Sequence, residues 1–190
     1  MADIFQHLLH YLIKGRLAMS GLVIMRAQPF HFGHARLIDK ALADHDDVFV
    51  MLGSMQERGT SRNPFTFSER KEMIKSYYLA HEKWEQLIVM GLIDIYDPVR
   101  WADYTLTEIS NHFPDTVIEH LYCGSEYDFS WFRQTKVKPV IVDRVDQKHP
   151  FITASMLREM LVYGDARWKQ YIPECNWPLV AKKFNRLDML

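Results

Sequence analysis

The stretch Gly21-Leu-Val-Ile-Met25, running straight into Arg26-Ala-Gln-Pro-Phe-His-Phe-Gly-His34, decides how the chain is read. Its first five residues form a continuous apolar run with no polar alternation. A strand of that kind is buried on both faces, as in a parallel sheet covered by helices. Pro29 has no N–H and a fixed φ, so it stiffens the turn that leaves the strand. Gly33 has no side chain and lets a ligand or a second backbone come close. His34 falls in the first turn of the following helix, where free N–H groups and the helix dipole favour an anion.

Outward from this point the same alternation repeats. Leu37, Ile38, Ala41 and Leu42 recur at helical spacing and predict a helix over Gly33–Ala43. Val48–Leu52 is a second apolar run, closed by Gly53 and Ser54. Thr66-Phe-Ser-Glu69 has the form of a capping box and starts a helix at Thr66, with Met73, Ile74 and Tyr77 turned inward. Leu87–Ile95 reads as a strand and Val99–His112 as a helix. Val117–Cys123 is a strand closed by Gly124 and Ser125, and Val137–Val142 is a fifth. Helices near Thr153–Val162 and Trp177–Leu187 complete the pattern. The expected fold is α/β, a Rossmann-like parallel sheet of five to six strands with helices on both faces. Ligands of such sheets bind beyond the carboxyl ends of the strands, where the histidine motif, Gly53-Ser54 and Gly124-Ser125 all fall.

Composition narrows the function classes. The chain has 190 residues, 48% hydrophobic and 25% charged, as expected of a single soluble domain with a full core. A formal net charge of −1 gives no global case for binding nucleic acid or an anionic membrane. Cys123 and Cys175 belong to no Cys/His ligand cluster and read as reduced thiols of a cytoplasmic protein. No apolar stretch reaches membrane-span length. Residues 1–20 are expected to be an N-terminal helical extension or a leader, and 21–190 the working domain with its C-terminal helices.

The chemistry rests on two clusters. His31 and His34 can point to one side of the helix start and donate hydrogen bonds to phosphate oxygens. A lone His-x-x-His also fits a metal half-site or two surface histidines. The order strand, proline turn, His-x-Gly-His, helix favours phosphate. In Ile152-Thr-Ala-Ser-Met-Leu-Arg158, Thr153 and Ser155 can cap a helix and present hydroxyl and N–H groups to an anion. Arg158 can offer a charge-assisted fork to phosphate. No Walker-type loop, Gly-x-Gly-x-x-Gly strand turn or nucleophile elbow is present, and no carboxylate pair stands out as acid and base. A phosphate nucleophile needs no base. It needs alignment and neutralisation of charge around the attacked phosphorus, which indicates nucleotidyl transfer.

Residues Arg26–His34 closely resemble the Gly-Arg-Phe-Gln-Pro-Phe-His-x-Gly-His signature of nicotinamide mononucleotide adenylyltransferases, in the archaeal-type branch and its bacterial relatives. Ile152–Arg158 is similar to that superfamily's Ile-Ser-x-Thr-x-x-Arg motif. Gly53-Ser54 with Arg62-Asn-Pro-Phe-Thr-Phe-Ser-Glu-Arg70 resembles the branch's Gly-Ser…Asn-Pro-Phe-Thr-x-x-Glu-Arg. The resemblance implies synthesis of NAD and pyrophosphate from nicotinamide mononucleotide and ATP, with magnesium carried on the ATP phosphates and no protein metal site. It implies that His31, His34 and Arg158 act on the reacting phosphates. Arg26, Gln28, Phe30, Gly33, Thr153 and Ser155 would bind ATP. Trp101, Gly53, Ser54, Asn63, Gly124 and Ser125 would bind the mononucleotide. Trp101 matches a tryptophan that stacks on the nicotinamide ring, and reads equally as a packing or rim aromatic. Asn63 and Arg70 could instead serve only the loop and cap, and Arg70 reads as structural.

Two positions depart from the signature: Met25 replaces its glycine and Ala27 its phenylalanine. They leave the second substrate open, with nicotinate mononucleotide or another phosphomonoester as an alternative, and so does a non-catalytic nucleotide-binding module. Intact His31, His34 and Arg158 argue against the last. The Nudix signature found in some of the bacterial relatives is absent, so no pyrophosphohydrolase activity is expected. Oligomeric state, a homo-oligomer included, stays open.

Overall fold

The computed structural model describes residues 19–143 and 151–185. Five parallel strands form its sheet: β1 Met19–Met25, β2 Val48–Leu52, β3 Leu87–Gly91, β4 Val117–Cys123 and β5 Lys138–Ile141. Their order is β3-β2-β1-β4-β5. Six α-helices accompany them: α1 Phe32–Asp44, α2 Phe67–Ala80, α3 Trp101–His112, the single turn α4 Glu126–Phe129, α5 Ala154–Tyr163 and α6 Trp177–Lys183. The strand order reverses between β1 and β4, and the crevice outside that point is where such sheets take ligands.

The apolar runs account for two cores, one on each face. Alternate residues of a strand point to opposite faces. Val23, Val48, Val50, Leu52, Leu87 and Val89 pack with Ile38, Met73, Ile74, Leu157 and Trp168. Leu22, Phe49, Met51, Ile88, Met90 and Leu121 pack with Ala102, Ile109, Phe113 and Phe132 on the other side. Every residue of β2 is buried, as befits a strand flanked on both edges and covered on both faces.

Several boundaries differ from the sequence reading, each for a tertiary reason. β1 begins at Met19, so Met19 and Ser20 belong to the sheet and not to an N-terminal extension; the rest of that expected extension lies outside the described residues. β3 stops at Gly91, short of Ile95. The Leu92 N–H still donates to the Leu52 carbonyl, but the chain then turns so that Asp94 can accept from Ser54. α3 starts at Trp101 because the Asp97 carboxylate accepts from the Val99 and Arg100 N–H groups in a preceding turn. The last helix ends at Lys183, short of the expected Leu187: Phe184 and Asn185 form a turn, with Asn185 at φ 54°, and residues 186–187 lie outside the described residues.

The capping box at Thr66 forms as its residues dictate. The Glu69 N–H donates to Thr66 Oγ1 at 3.2 Å, and the Thr66 N–H to Glu69 Oε2 at 2.7 Å. Lys183 Nζ meets Glu69 Oε1 at 2.9 Å and ties α6 to the start of α2. One turn into α2 lies Arg70, with no exposed surface. Its Nη1 donates to the Arg26 carbonyl at 2.8 Å and the Gly53 carbonyl at 2.7 Å, and its Nη2 reaches the Ser54 carbonyl at 3.4 Å. The carboxyl ends of β1 and β2 are thus held by one planar cation. Burial lowers its pKa to about 10, against a smaller upward pull from Asp94, so the group stays charged at neutral pH.

Replacing Arg70 by methionine should keep the volume and strand these carbonyls. Each buried acceptor left without a partner costs about 1–3 kcal/mol, so urea denaturation should show a loss of at least about 2 kcal/mol. An unchanged midpoint would mean that water replaces the guanidinium at no cost.

Candidate active site

Beyond the carboxyl ends of β1, β2 and β4 opens a cleft of about 750 Å³, walled by Met25, Arg26, Ser54, Arg62, Trp101 and Trp131, among others. A smaller recess of about 180 Å³ adjoins it and reaches His34, Cys123 and Gly124. The loop from β1 to α1 forms its floor. Ala27 adopts a left-handed backbone, φ 50°, which turns the chain sharply after the strand. Its methyl group is buried in the core and does not line the cleft. Met25 does line it. Of the two departures from the signature, only Met25 lines the cleft.

His31 is the N-cap residue of α1 in extended backbone, and its side chain does not cap the helix. Its ring lies 3.8 Å, centroid to centroid, from that of His34, and both rings are almost wholly buried. Gly33 is buried in the first turn beside them. Phe30 is fully buried and packs behind His34, with centroids 6.0 Å apart. Its ring backs the imidazole and is not among the residues that line either cavity.

Gln28, expected to bind ATP, is also turned inward. It is 1% exposed, and its amide grips the Phe65 backbone from both ends: Nε2 donates to the Phe65 carbonyl and Oε1 accepts from the Phe65 N–H, each at 2.9 Å. The second N–H of the amide is buried with the rest of the side chain. Asn63 is a third residue turned inward. It is fully buried, its N–H donates to Thr60 Oγ1 and its Nδ2 to Glu57. It shapes the loop after β2 and does not line the cleft.

The second cluster arrives from far along the chain. Thr153 caps α5, accepting from the Met156 N–H at 3.2 Å. Arg158 Nη1 donates to the Gln28 carbonyl at 2.8 Å and Nη2 to Ser155 Oγ at 3.0 Å. The guanidinium is therefore fixed against the histidine loop. Burial lowers the Arg158 pKa, and Arg26 and Arg62 lower it further; burial and then Arg62 lower that of Arg26, while Asp94 and Glu57 pull it up. Arg26 and Arg62 line the cleft, and with Arg158, held against the histidine loop, they supply an anion-attracting field.

The remaining expected residues divide. Gly53 and Ser54 line the large cleft. Ser54 sits at φ 52°, its N–H and hydroxyl both donating to Asp94, at 3.1 and 2.6 Å. Gly124 borders the recess. Ser125 caps the short α4 through Asp128, 3.3 Å from its N–H and 2.9 Å from its carboxylate, and lies outside the cleft wall. Trp101 does both things open to it: it lines both cavities and packs against the second core.

Sequence reasoning did not single out Arg62, Asp94, Tyr96, Tyr127 and Trp131 as site residues. A carboxylate near the end of the apolar run of β3 was the one available signal for Asp94. Tyr127 and Trp131 meet edge to face, 5.5 Å apart, opposite the expected Trp101 side, and no periodicity marks them.

The cytidylyltransferase-like family profile matches residues 26–160, and the chain belongs to that family. The nicotinamide-nucleotide adenylyltransferase of Thermococcus kodakarensis is 29% identical over 158 residues, 83% of this chain and 79% of that protein. The nicotinamide/nicotinic acid mononucleotide adenylyltransferase of Acinetobacter baylyi is 35% identical over 80 residues, 42% of each chain. A bifunctional NMN adenylyltransferase/ADP ribose pyrophosphatase from Francisella tularensis, solved with AMP and a manganese ion, has the same fold: TM-score 0.71, 23% identity, covering 90% of this chain and 51% of that one. The chain thus spans about half the length of the Francisella protein.

Gln28 gives a clean test of support against ligation. Gln28→Leu should leave both polar groups of Phe65 buried and unpaired, a loss of roughly 2 kcal/mol or more in thermal or urea unfolding. A variant of native stability with a raised KM for ATP would restore Gln28 to the binding residues.

Proposed function

We propose that the chain is an adenylyltransferase that joins nicotinamide mononucleotide to ATP, giving NAD and pyrophosphate. The observation that carries this reading is the meeting of two helix starts: Arg158 of α5 donates to the Gln28 carbonyl, within the loop that presents His31 and His34. The names of the relatives, nicotinamide-nucleotide adenylyltransferase from several archaea, support it.

The reaction follows from the charges. A phosphate oxygen of the mononucleotide attacks the α-phosphorus of ATP, the bond to the bridging β-phosphate oxygen breaks, and pyrophosphate leaves with the electron pair. No proton need be removed from the nucleophile. His34 and His31 donate to the oxygens on which charge grows, and the start of α1 adds its dipole. Arg158, with Arg26 and Arg62, grips the leaving phosphates; guanidinium forks hold them in line. Magnesium carried on the triphosphate would help to neutralise the charge on the leaving group. Trp101 and Trp131 offer flat apolar faces to the mononucleotide base, and Ser54 and Gly53 bring backbone to its ribose phosphate. A coupled assay with ATP, magnesium and either nicotinamide or nicotinate mononucleotide tests the reading directly; turnover of neither would overturn it.

If His34 stabilises charge that appears in the transition state, His34→Ala should lower kcat far more than it weakens ATP binding. Loss of one such donor costs about 2.7–4 kcal/mol, roughly 100- to 1,000-fold in rate. Near-normal turnover would remove His34 from the mechanism.

Trp101 separates the two substrates. A stacked ring is worth about 1 kcal/mol beyond its burial, so Trp101→Ala should raise KM for the mononucleotide several-fold and leave that for ATP nearly unchanged. Trp101→Phe should recover much of the loss. Tryptophan emission quenched by the mononucleotide in the native chain and equally in Trp101→Phe would place the ring elsewhere, with Trp131 the next residue to test.

A further inference from the structure

A second cluster of ligand-type side chains lies towards the amino ends of the strands, away from the cleft. Its origin is an irregularity in β4. Ser20 pairs with Ile118, but Gly21 pairs with His120, so Glu119 is an extra residue on that strand. Such a bulge breaks the alternation of faces and re-aims a side chain. Here it brings Glu119 and His120 to one side, with His120 Nδ1 3.6 Å from Glu119 Oε2. Across from them His45, the C-cap residue of α1, is buried against the sheet. A Cβ on Gly21 would stand 3.0 Å from its Cδ2, so the glycine is what lets the imidazole lie there.

The tautomer of His45 follows from its surroundings. Its Nδ1 is 3.0 Å from the Met19 carbonyl, which can only accept. Nδ1 therefore carries the proton, and the lone pair of Nε2 points at His120 Nδ1, 3.3 Å away. Backbone carbonyls orient metal-binding histidines in this same way. In a tetrahedral site with bonds of about 2.0–2.1 Å, ligand atoms stand about 3.3–3.4 Å apart. The His45–His120 separation already has that length, and the ligand atoms of all three residues lie within 4.8 Å of one another.

We propose that His45 Nε2, His120 Nδ1 and Glu119 Oε2 bind a divalent transition-metal ion of the zinc class. Two imidazoles and one carboxylate suit zinc, cobalt or nickel, and are too nitrogen-rich for magnesium or calcium. His120 binds as the Nε2–H tautomer, so its hydrogen bond to His45 gives way to the ion without a net change of protons. Lys138 Nζ, 3.6 Å from Glu119 Oε1, holds the other carboxylate oxygen. The bound ion joins the end of α1 to β4 and, through His45, to the start of β1. From Gly21 to Met25 the strand rises about 13 Å, so this ion does not reach the phosphates and differs from magnesium carried on ATP.

The experiment is a Co²⁺ titration of the chelator-treated full chain in excess Mg²⁺, read by visible d–d absorption and by metal content. One Co²⁺ per chain, displaced by Zn²⁺, is expected. His120→Gln and Glu119→Gln should each weaken it at least 10-fold, and His34→Asn should leave it unchanged. Zn²⁺ should raise the melting temperature of the native chain and not of Glu119→Gln, a half-exposed position that tolerates the change even if His120→Gln misfolds. Absence of Co²⁺ binding, or equal binding by native chain and Glu119→Gln, would reduce the cluster to a hydrogen-bonded histidine pair. Loss of binding in His34→Asn would move the ion to the catalytic histidines. Either result overturns the proposal and leaves the adenylyl-transfer reading untouched.

Discussion

One buried guanidinium fixes the geometry on which the cleft depends. The carboxyl ends of two parallel strands present carbonyls that point past the sheet and have no neighbour to pair with. Arg70 answers those of Arg26, Gly53 and Ser54 at once. Its position one turn into α2 is set in turn by the Thr66 capping box, and α2 is anchored by Glu69 to Lys183. The chain of cause runs from a local cap to a helix start, to a buried cation, to the two strand ends. The Arg26 side chain projects from one of these ends and the Ser54 turn from the other, so the width of the cleft is set here.

What the sequence disclosed, and what it hid, follow from the range of the forces involved. Apolar runs and the capping box at Thr66 are local, and they placed the strands and the start of α2 where the structure has them. The end of β3 is not local. Leu92, Ile93 and Ile95 are as apolar as the strand before them, but Ser54 and Gln56 engage Asp94 and turn the chain away. The site shows the same division. A motif names residues without saying which touch the ligand, so Gln28, Phe30 and Asn63 read as ligands although each is buried and engaged with the protein. Arg62, Tyr96 and Trp131 escaped because loops bring them in, and loops carry no period.

Support and ligation are interleaved residue by residue in the loop after β1. Arg26 faces the cleft, Ala27 and Gln28 face the core, Phe30 backs His34, and His31 opens α1. Binding sites need their contacting groups held by a second layer whose own rotamers are locked. Here that layer lies in the same short segment as the contacts. A small side chain at Ala27 suits its left-handed backbone, since bulk there would meet the core and not the ligand. Bulk added at Met25 instead narrows the cleft near Trp101. Of the two departures from the signature, Met25 alone therefore changes the shape of the cleft beside its aromatic walls.

Electrostatics explains why the phosphate end can be so poor in conventional catalytic groups. Arg158 is pressed down in pKa by burial and then by Arg26 and Arg62; Arg26 is pressed down by burial and by Arg62, although Asp94 and Glu57 oppose it. Each cation is thus less comfortable charged than it would be in water. A triphosphate placed among them converts that mutual repulsion into attraction, and the conversion grows as charge shifts towards the leaving pyrophosphate. The fold holds these like charges in place before any ligand arrives, Arg158 through its bond to the Gln28 carbonyl. No reorganisation is left for the moment of reaction, which is the condition under which fixed charges accelerate a chemical step most.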